Sequence, residues 1–310
     1  MSTFAVQIVV VGSYNRDLAL RVDQFPAPGE TRLSLGRAES PGGKGSNQAI
    51  QAARCGASTA MIAAVGQDLA GDEALSLWSG LQIDTSAVVR LAEAATGMAM
   101  ILVDRQAENM IVVDSGANDH LSQRHILAAS PLITGAQLVL AQLETPIAAT
   151  LAAFDLARSS GVITLLNAAP ANAALDHQLL ALTDILYVNQ TEGAALSGQT
   201  SPEAIGTGLL EIGPAIIILT LGADGAMLFQ KGQPPLSAPP PAVQAIDTTG
   251  AGDAFIGAFA AQWIRRKDLS AALDFGLAAG ALACTRHGAA ASFGDREEIE
   301  RLAASCPGRQ

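Results

Sequence analysis

The chain has 310 residues, of which 49% are hydrophobic and 15% charged, with a formal net charge of −11; this describes one large packed domain and excludes a disordered chain. The negative field and the lack of any Lys/Arg run exclude a nucleic-acid partner, so an anionic ligand would need a local cradle of backbone N–H groups, a cation or a metal. Cys55, Cys284 and Cys306 are odd in number, far apart and in no Cys-x-x-Cys pair, so neither a disulfide framework nor a zinc site is expected and a reducing, cytoplasmic setting fits.

The opening "MSTFAVQIVVVGS" has no basic n-region and its apolar run is too short to cross a bilayer, as are "AQLVLAQL" and "AIIILTL"; no membrane partner is expected, and all three read as buried strands. Just behind the first strand, "GSYNRDL" sets Asn15 and Asp17 two apart, on one face of an extended segment. There they either clamp neighbouring hydroxyls or make Asx hydrogen bonds in a turn. Residues 14–40 and 95–113 both show period-two patterning interrupted by turn residues, which predicts two β-excursions forming a small lid, with ordinary edge strands as the alternative. Between them, "PGGKGSNQA" (Pro41–Ala49) looks like a phosphate loop, but Gly45 follows Lys44 where a Walker motif has Ser or Thr. It supplies backbone donors, a cation and an amide at a helix start, or merely a glycine-rich helix entry.

Further on, "STAMIAAVG", "AQLVLAQL", "GVITLLN", "DILYVN" and "AIIILTLG" alternate with alanine- and leucine-rich stretches at helical spacing. Strands apolar on both faces between helices are the signature of βαβ units, so the fold class is α/β: a doubly wound, mostly parallel sheet flanked by helices, with a small β-sheet lid, in a single domain over 1–310. The strand ends "QLETP" and "VNQTE" bring Glu144, Asn189 and Glu192 to the sheet edge where open α/β sheets bind ligands, although any one of these acids could be a helix cap. The Pro-rich "KGQPPLSAPPPAVQ" reads as a loop before an edge strand. Last comes "DTTGAGDAFIGAF" (Asp247–Phe259), a glycine turn followed by an apolar helix starting near Ala251. The first N–H groups of such a helix lack intrahelical partners and outline an anion hole. Asp253 in that first turn is either N-cap chemistry or a carboxylate turned outward as a base. A dinucleotide fingerprint is excluded, since Phe255 stands at its third glycine.

Taken in order, "GSYNRDL", "PGGKGSNQA", "QLETP", "NAAPA", "VNQTEGAALSG", "TLGADGA", "DTTGAGDAFIGAF" and "ALACTRHGAAASF" closely resemble the ribokinase-like (PfkB-type) carbohydrate kinases from about Ile8 to Ile299. The resemblance implies an ATP-dependent kinase for the 5-hydroxyl of D-ribose; kinases for another pentose, deoxyribose or a nucleoside, and a silent sugar-binding regulator, are the alternatives. It implies Asp253 as the catalytic base and the N–H groups of Gly250, Ala251 and Gly252 as the anion hole. It implies a sugar site of Asn15, Asp17, Gly43, Lys44, Asn47, Glu144 and Asp253, with Ala99 and Ile111 as apolar lid contacts. For the nucleotide it implies Asn189, Glu192, Thr220, Gly222, Gly225, Gly252 and Leu277, the first two also associated with Mg²⁺. For an activating K⁺ it implies Asp247, Thr249, Ala283, Arg286, Gly288 and Ser292, mostly through backbone oxygens, and for quaternary structure a homodimer through the lids. Tyr14 is the one aromatic near the site that could stack on a nucleoside base, and Val188 and Gln190 stand where the family commonly has proline and an acid.

Overall fold

The structure is a computed structural model and describes residues 6–106, 108–170, 175 and 177–304. Residues 1–5, Ala107 in the second lid segment, Ala171 of "NAAPA" and Cys306 lie outside the described residues. Fourteen strands are defined among those described: β1 Ile8–Val11, β2 Asn15–Arg21, β3 Gly36–Gly42, β4 Thr59–Ile62, β5 Ala64–Gly66, β6 Val89–Leu91, β7 Gly97–Val103, β8 Asn109–Asp114, β9 Leu138–Ala141, β10 Ile163–Asn167, β11 Ile185–Asn189, β12 Ile216–Thr220, β13 Ala226–Gln230 and β14 Leu236–Ala238.

Eight of them form the main sheet in the order β14-β13-β12-β11-β10-β9-β1-β4. Pairing is parallel from β4 through β12 and turns antiparallel only for β13 and β14. Alternation along a strand explains why the segments read as unbroken apolar runs. Ile8 and Val10 enter the core beneath the helices Lys44–Arg54, Ala251–Arg266 and Leu269–Ala283, while Val9 and Val11 enter the core beneath Ile147–Ser159. "STAMIAAVG" is not one strand: it breaks at Ala63 into β4 and β5, and β5 leaves the main sheet to pair with β6. Nor does the Pro-rich stretch precede an edge strand; the edge strand β14 lies within it.

A second, four-stranded sheet has the order β3-β2-β7-β8. It is built from the two segments expected to leave the main sheet, except that residues 22–35 contain no strand and the first segment's second strand extends to Gly42. The register sets Asn15 opposite Gly97, Asp17 opposite Ala99, and Ile101 opposite Ile111. Side chains at paired positions share a face, so Asn15, Asp17, Ala99 and Ile111 all project from one side of this sheet. Among the described residues no helix is long and apolar enough to cross a membrane.

Candidate active site

The helix Ala251–Arg266 starts where expected, with Gly250 as its N-cap in the left-handed region at φ 76°. A Cβ on Gly250 would lie 2.9 Å from the Ala289 Cα, so both conformation and space demand glycine. The Ala251 amide, expected in the anion hole, instead donates to the Thr248 carbonyl at 3.2 Å. That leaves the amides of Gly250 and Gly252 at the helix mouth, backed by the helix dipole, which is the arrangement that holds phosphate oxygens.

Asp253, in the first turn, is buried, and it is not a cap. Both its oxygens are held by side-chain amides from the neighbouring helix: Asn47 Nδ2 donates to Oδ2 at 3.0 Å and Gln48 Nε2 to Oδ1 at 2.8 Å. Burial raises its pKa above the usual carboxylate range; Lys44 and the two amides oppose that, and Glu144 adds to it. A raised pKa makes this carboxylate a stronger base than an exposed aspartate.

The helix Lys44–Arg54 opens from Gly43, at φ 86° and with no side-chain cap of its own. Its cap comes from another strand end: the Lys44 amide donates to Glu144 Oε2 at 2.9 Å, and the Ser13 hydroxyl donates to the same oxygen at 2.5 Å. So Glu144 does cap a helix, but not the one that follows it in sequence. Asn15 and Asp17 lie in a strand, which removes the Asx-turn reading. Asn118 Nδ2 donates to Asn15 Oδ1 at 2.9 Å, which leaves the Asn15 amide group free to face a ligand. Burial first, then the negative charges of Glu144 and Asp253, push the Asp17 carboxyl up to about 7. Burial would lower the Lys44 pKa, but Asp253, Glu144 and Glu192 outweigh it and the pKa rises, so the ammonium stays charged among three acids.

A cavity of about 790 Å³ opens at the mouth of this helix, lined by Lys44, Asn189, Glu192, Thr220, Gly222, Gly225 and Leu277, with Gly250 to Asp253 on its wall. All seven expected nucleotide positions are therefore brought together. One wall was not expected: Pro239 to Val243, the Pro-rich loop, closes the cavity from the side of β14. Asn189 and Glu192 satisfy each other as a capping box, so the cap reading of that pair holds. A single Glu192 oxygen, Oε2, is used for it, by the Asn189 amide. A second cavity of about 360 Å³ is lined by Asn15, Asn118, Val113 and Glu144. Val113 lines this cavity, whereas Ile111, the expected lid contact two residues before it on the same face, does not. Tyr14 is no stacking partner for a base, because it is buried edge-on against Trp78 with ring centroids 5.6 Å apart.

Asp247 ties two loops together: its Oδ1 accepts the Thr249 amide at 2.9 Å and its Oδ2 the Gly288 amide at 2.8 Å. Ser292 is buried with its hydroxyl on the Ala289 carbonyl, and the Ala283 carbonyl accepts the Arg286 amide. The Arg286 side chain turns away to Glu298. Residues that sequence reasoning missed are Ser13, Gln48, Asn118 and Gln142. Ser13, Gln48 and Gln142 lie inside the motifs "GSYNRDL", "PGGKGSNQA" and "QLETP", which is their only signal, and Asn118, in the short helix Gly116–His120, has none.

A family profile described as pfkB family carbohydrate kinase matches residues 6–296. A ribokinase of Staphylococcus aureus (strain COL) is 40% identical over 304 residues, spanning 96% of this chain and 99% of the relative. A deoxyribokinase of Salmonella typhi is 32% identical over 299 residues, spanning 95% of this chain and 97% of the relative. The solved structure of Arabidopsis thaliana ribokinase complexed with ribose and ATP superposes with a TM-score of 0.89 at 29% identity, covering 97% of this chain and 99% of that one. Likeness over nearly the whole length, in sequence and in fold, assigns this chain to the pfkB family of carbohydrate kinases.

Proposed function

We propose that the chain transfers the γ-phosphoryl group of ATP to the 5-hydroxyl of D-ribose. The observation that carries this reading is Asp253: a buried carboxylate fixed by two amides on the wall of a nucleotide-sized cavity, beside free helix-mouth amides and the Lys44 ammonium. The sugar lies against Asn15, Asp17, Gly43, Asn47 and Glu144 under β2, β7 and β8, which act as the lid. Asp253 accepts the hydroxyl proton as the oxygen attacks phosphorus. Lys44 and the amides of Gly250 and Gly252 face the charge on the transferring group. Phosphoryl transfer asks mainly for such positioning and charge stabilisation.

Mg²⁺ would be held on the nucleotide side by Glu192, whose Oε1 is not used in the capping box, and would neutralise phosphate charge there. The carbonyl-rich cluster around Asp247, Thr249, Ala283, Arg286, Gly288 and Ser292 suits a hard monovalent cation, K⁺ in this reading, beside the anion hole. Asp247 is held below the usual carboxylate range: burial raises its pKa, but the Thr249 side chain and then the Gly288 and Thr249 amides outweigh that. The chain forms a homodimer through its lids, a reading supported by β8, an edge strand whose Met110 to Val113 are all exposed. Cys55 and Cys284, both free, fit work in the cytoplasm.

ADP release from Mg-ATP, measured across D-ribose, 2-deoxyribose, arabinose, xylose, fructose and several nucleosides with and without K⁺, tests the whole reading. Ribose should give the highest kcat/KM, with stimulation by K⁺. Preference for 2-deoxyribose would favour the deoxyribokinase-like alternative, and silence with every acceptor would overturn the kinase reading.

A further inference from the structure

We propose that Gln48 and Gln142 form a directional amide relay that aims Asp253 at its substrate and sets how strongly it holds a proton. The proposal rests on Asp253 being the base.

The relay's direction is forced. A carboxylate oxygen only accepts, so the Gln48 group facing Asp253 Oδ1 at 2.8 Å must be its NH₂. That turns Gln48 Oε1 the other way, where it accepts from Gln142 Nε2 at 2.7 Å. Both glutamines are fully buried, away from bulk solvent. Gln142 Oε1 has no partner and lies against Gly12, where an added Cβ would sit 2.2 Å from it. Gly12 thus makes room for the far end of the relay, and the ends of β1 and β9 act on a base in another helix. Leaving a buried carbonyl oxygen unpaired has a cost, and the bond from Gln142 to Gln48 is what that arrangement secures. Neither glutamine lines either cavity. They are positioning residues, and Asn47 holds the other oxygen of the base independently.

The charged and titratable groups facing Asp253 are Lys44, Glu144, Asp17, Glu192 and Tyr187, and the variants below leave all of them in place. Removing a donor from a carboxylate raises its pKa. With the carboxylate no longer held in its aim, Gln48→Leu should lower kcat by about 10- to 100-fold, and Gln142→Leu, which frees Gln48 to turn, by about 3- to 10-fold. The acid limb of kcat against pH should move up by about half to one pH unit, with ribose KM within about 3-fold. Gln142→Glu, once its buried carboxyl is ionised, presents only acceptors to Gln48 and reverses its amide, placing an oxygen against Asp253; as the pH is raised through that ionisation its kcat should fall below that of Gln142→Leu at equal folded fraction. An unmoved acid limb in Gln142→Leu, or kcat losses that follow thermal stability alone, overturns the relay. Should Gln48→Leu fail to fold, the Gln142 pair decides. Asp253→Asn run alongside separates the two ideas: normal turnover there removes the base itself, whereas an inactive Asp253→Asn with unshifted glutamine variants removes only the relay.

Discussion

Asp17 gives the sharpest energetic test of the site. Its carboxyl is pushed from an ordinary 3.8 to about 7 by burial and by the charges of Glu144 and Asp253. A carboxyl whose folded pKa lies above its unfolded one is held as an acid by the fold. Its ionisation therefore destabilises the folded state, by nothing below pH 3.8 and by the full amount above pH 7. At roughly 1.4 kcal/mol per unit, the penalty is roughly 2 kcal/mol at pH 5 and roughly 4 kcal/mol at pH 8. Solvent at the open edge of the carboxylate screens these figures toward about half. Asp17→Asn keeps the shape and loses the charge, so the variant should be more stable than the parent, with a gain that grows between the two pH values by about 1–2 kcal/mol. Urea unfolding of both proteins at pH 5 and pH 8, without sugar, measures it. The same substitution should weaken ribose binding, so that saturating ribose raises the Tm of the parent far more than that of the variant. A gain that is equal at the two pH values, or a loss of stability at pH 8, would refute the argument that the acids crowd one another.

Asp253→Asn should lower kcat by about 10²- to 10⁴-fold with ribose KM nearly unchanged, because the shape persists and proton transfer does not; steady-state kinetics at saturating Mg-ATP reads this. Gly250→Ala forces a side chain into φ 76° and a methyl to within 2.9 Å of the Ala289 Cα. Together these cost about 2–5 kcal/mol, visible as a lower urea midpoint and a higher KM for Mg-ATP. Val112, 71% exposed on the edge strand β8, should accept lysine without loss of fold. Val112→Lys should shift sedimentation from dimer to monomer, and an unchanged sedimentation coefficient would reject the lid-to-lid interface.

Much of the fold was legible because buried parallel strands are apolar on both faces and stand out between helical stretches. The break at Ala63 was not, since "STAMIAAVG" keeps an apolar pattern through the point where β4 ends and β5 turns to another sheet. At the site, the glycine turn and Asp253 were legible as local chemistry, for a helix start after two glycines limits what its first turn can do. The partners of Asp253 were not. Asn47 and Gln48 lie more than 200 positions away, and either could have faced solvent. Which of Ile111 and Val113, on one face of β8, lines a cavity was not legible either, because the reach of an edge strand depends on the twist and tilt of its sheet.

The sequence by itself determined the α/β class, the places where the chain had to turn through glycine, and the set of acids, amides and one lysine available for chemistry, because these follow from periodicity and from what each side chain can donate or accept. Only the tertiary structure decided which of those groups meet. Glu144 caps the helix Lys44–Arg54 through the Lys44 amide, Gln142 reaches Asp253 by way of Gln48, and the Pro-rich loop becomes a cavity wall. The physical reason is that crossover connections bring strand ends far apart in sequence to one edge of the sheet. There a pKa or a hydrogen-bond direction is set by neighbours in space, and residues close in sequence have little part in it.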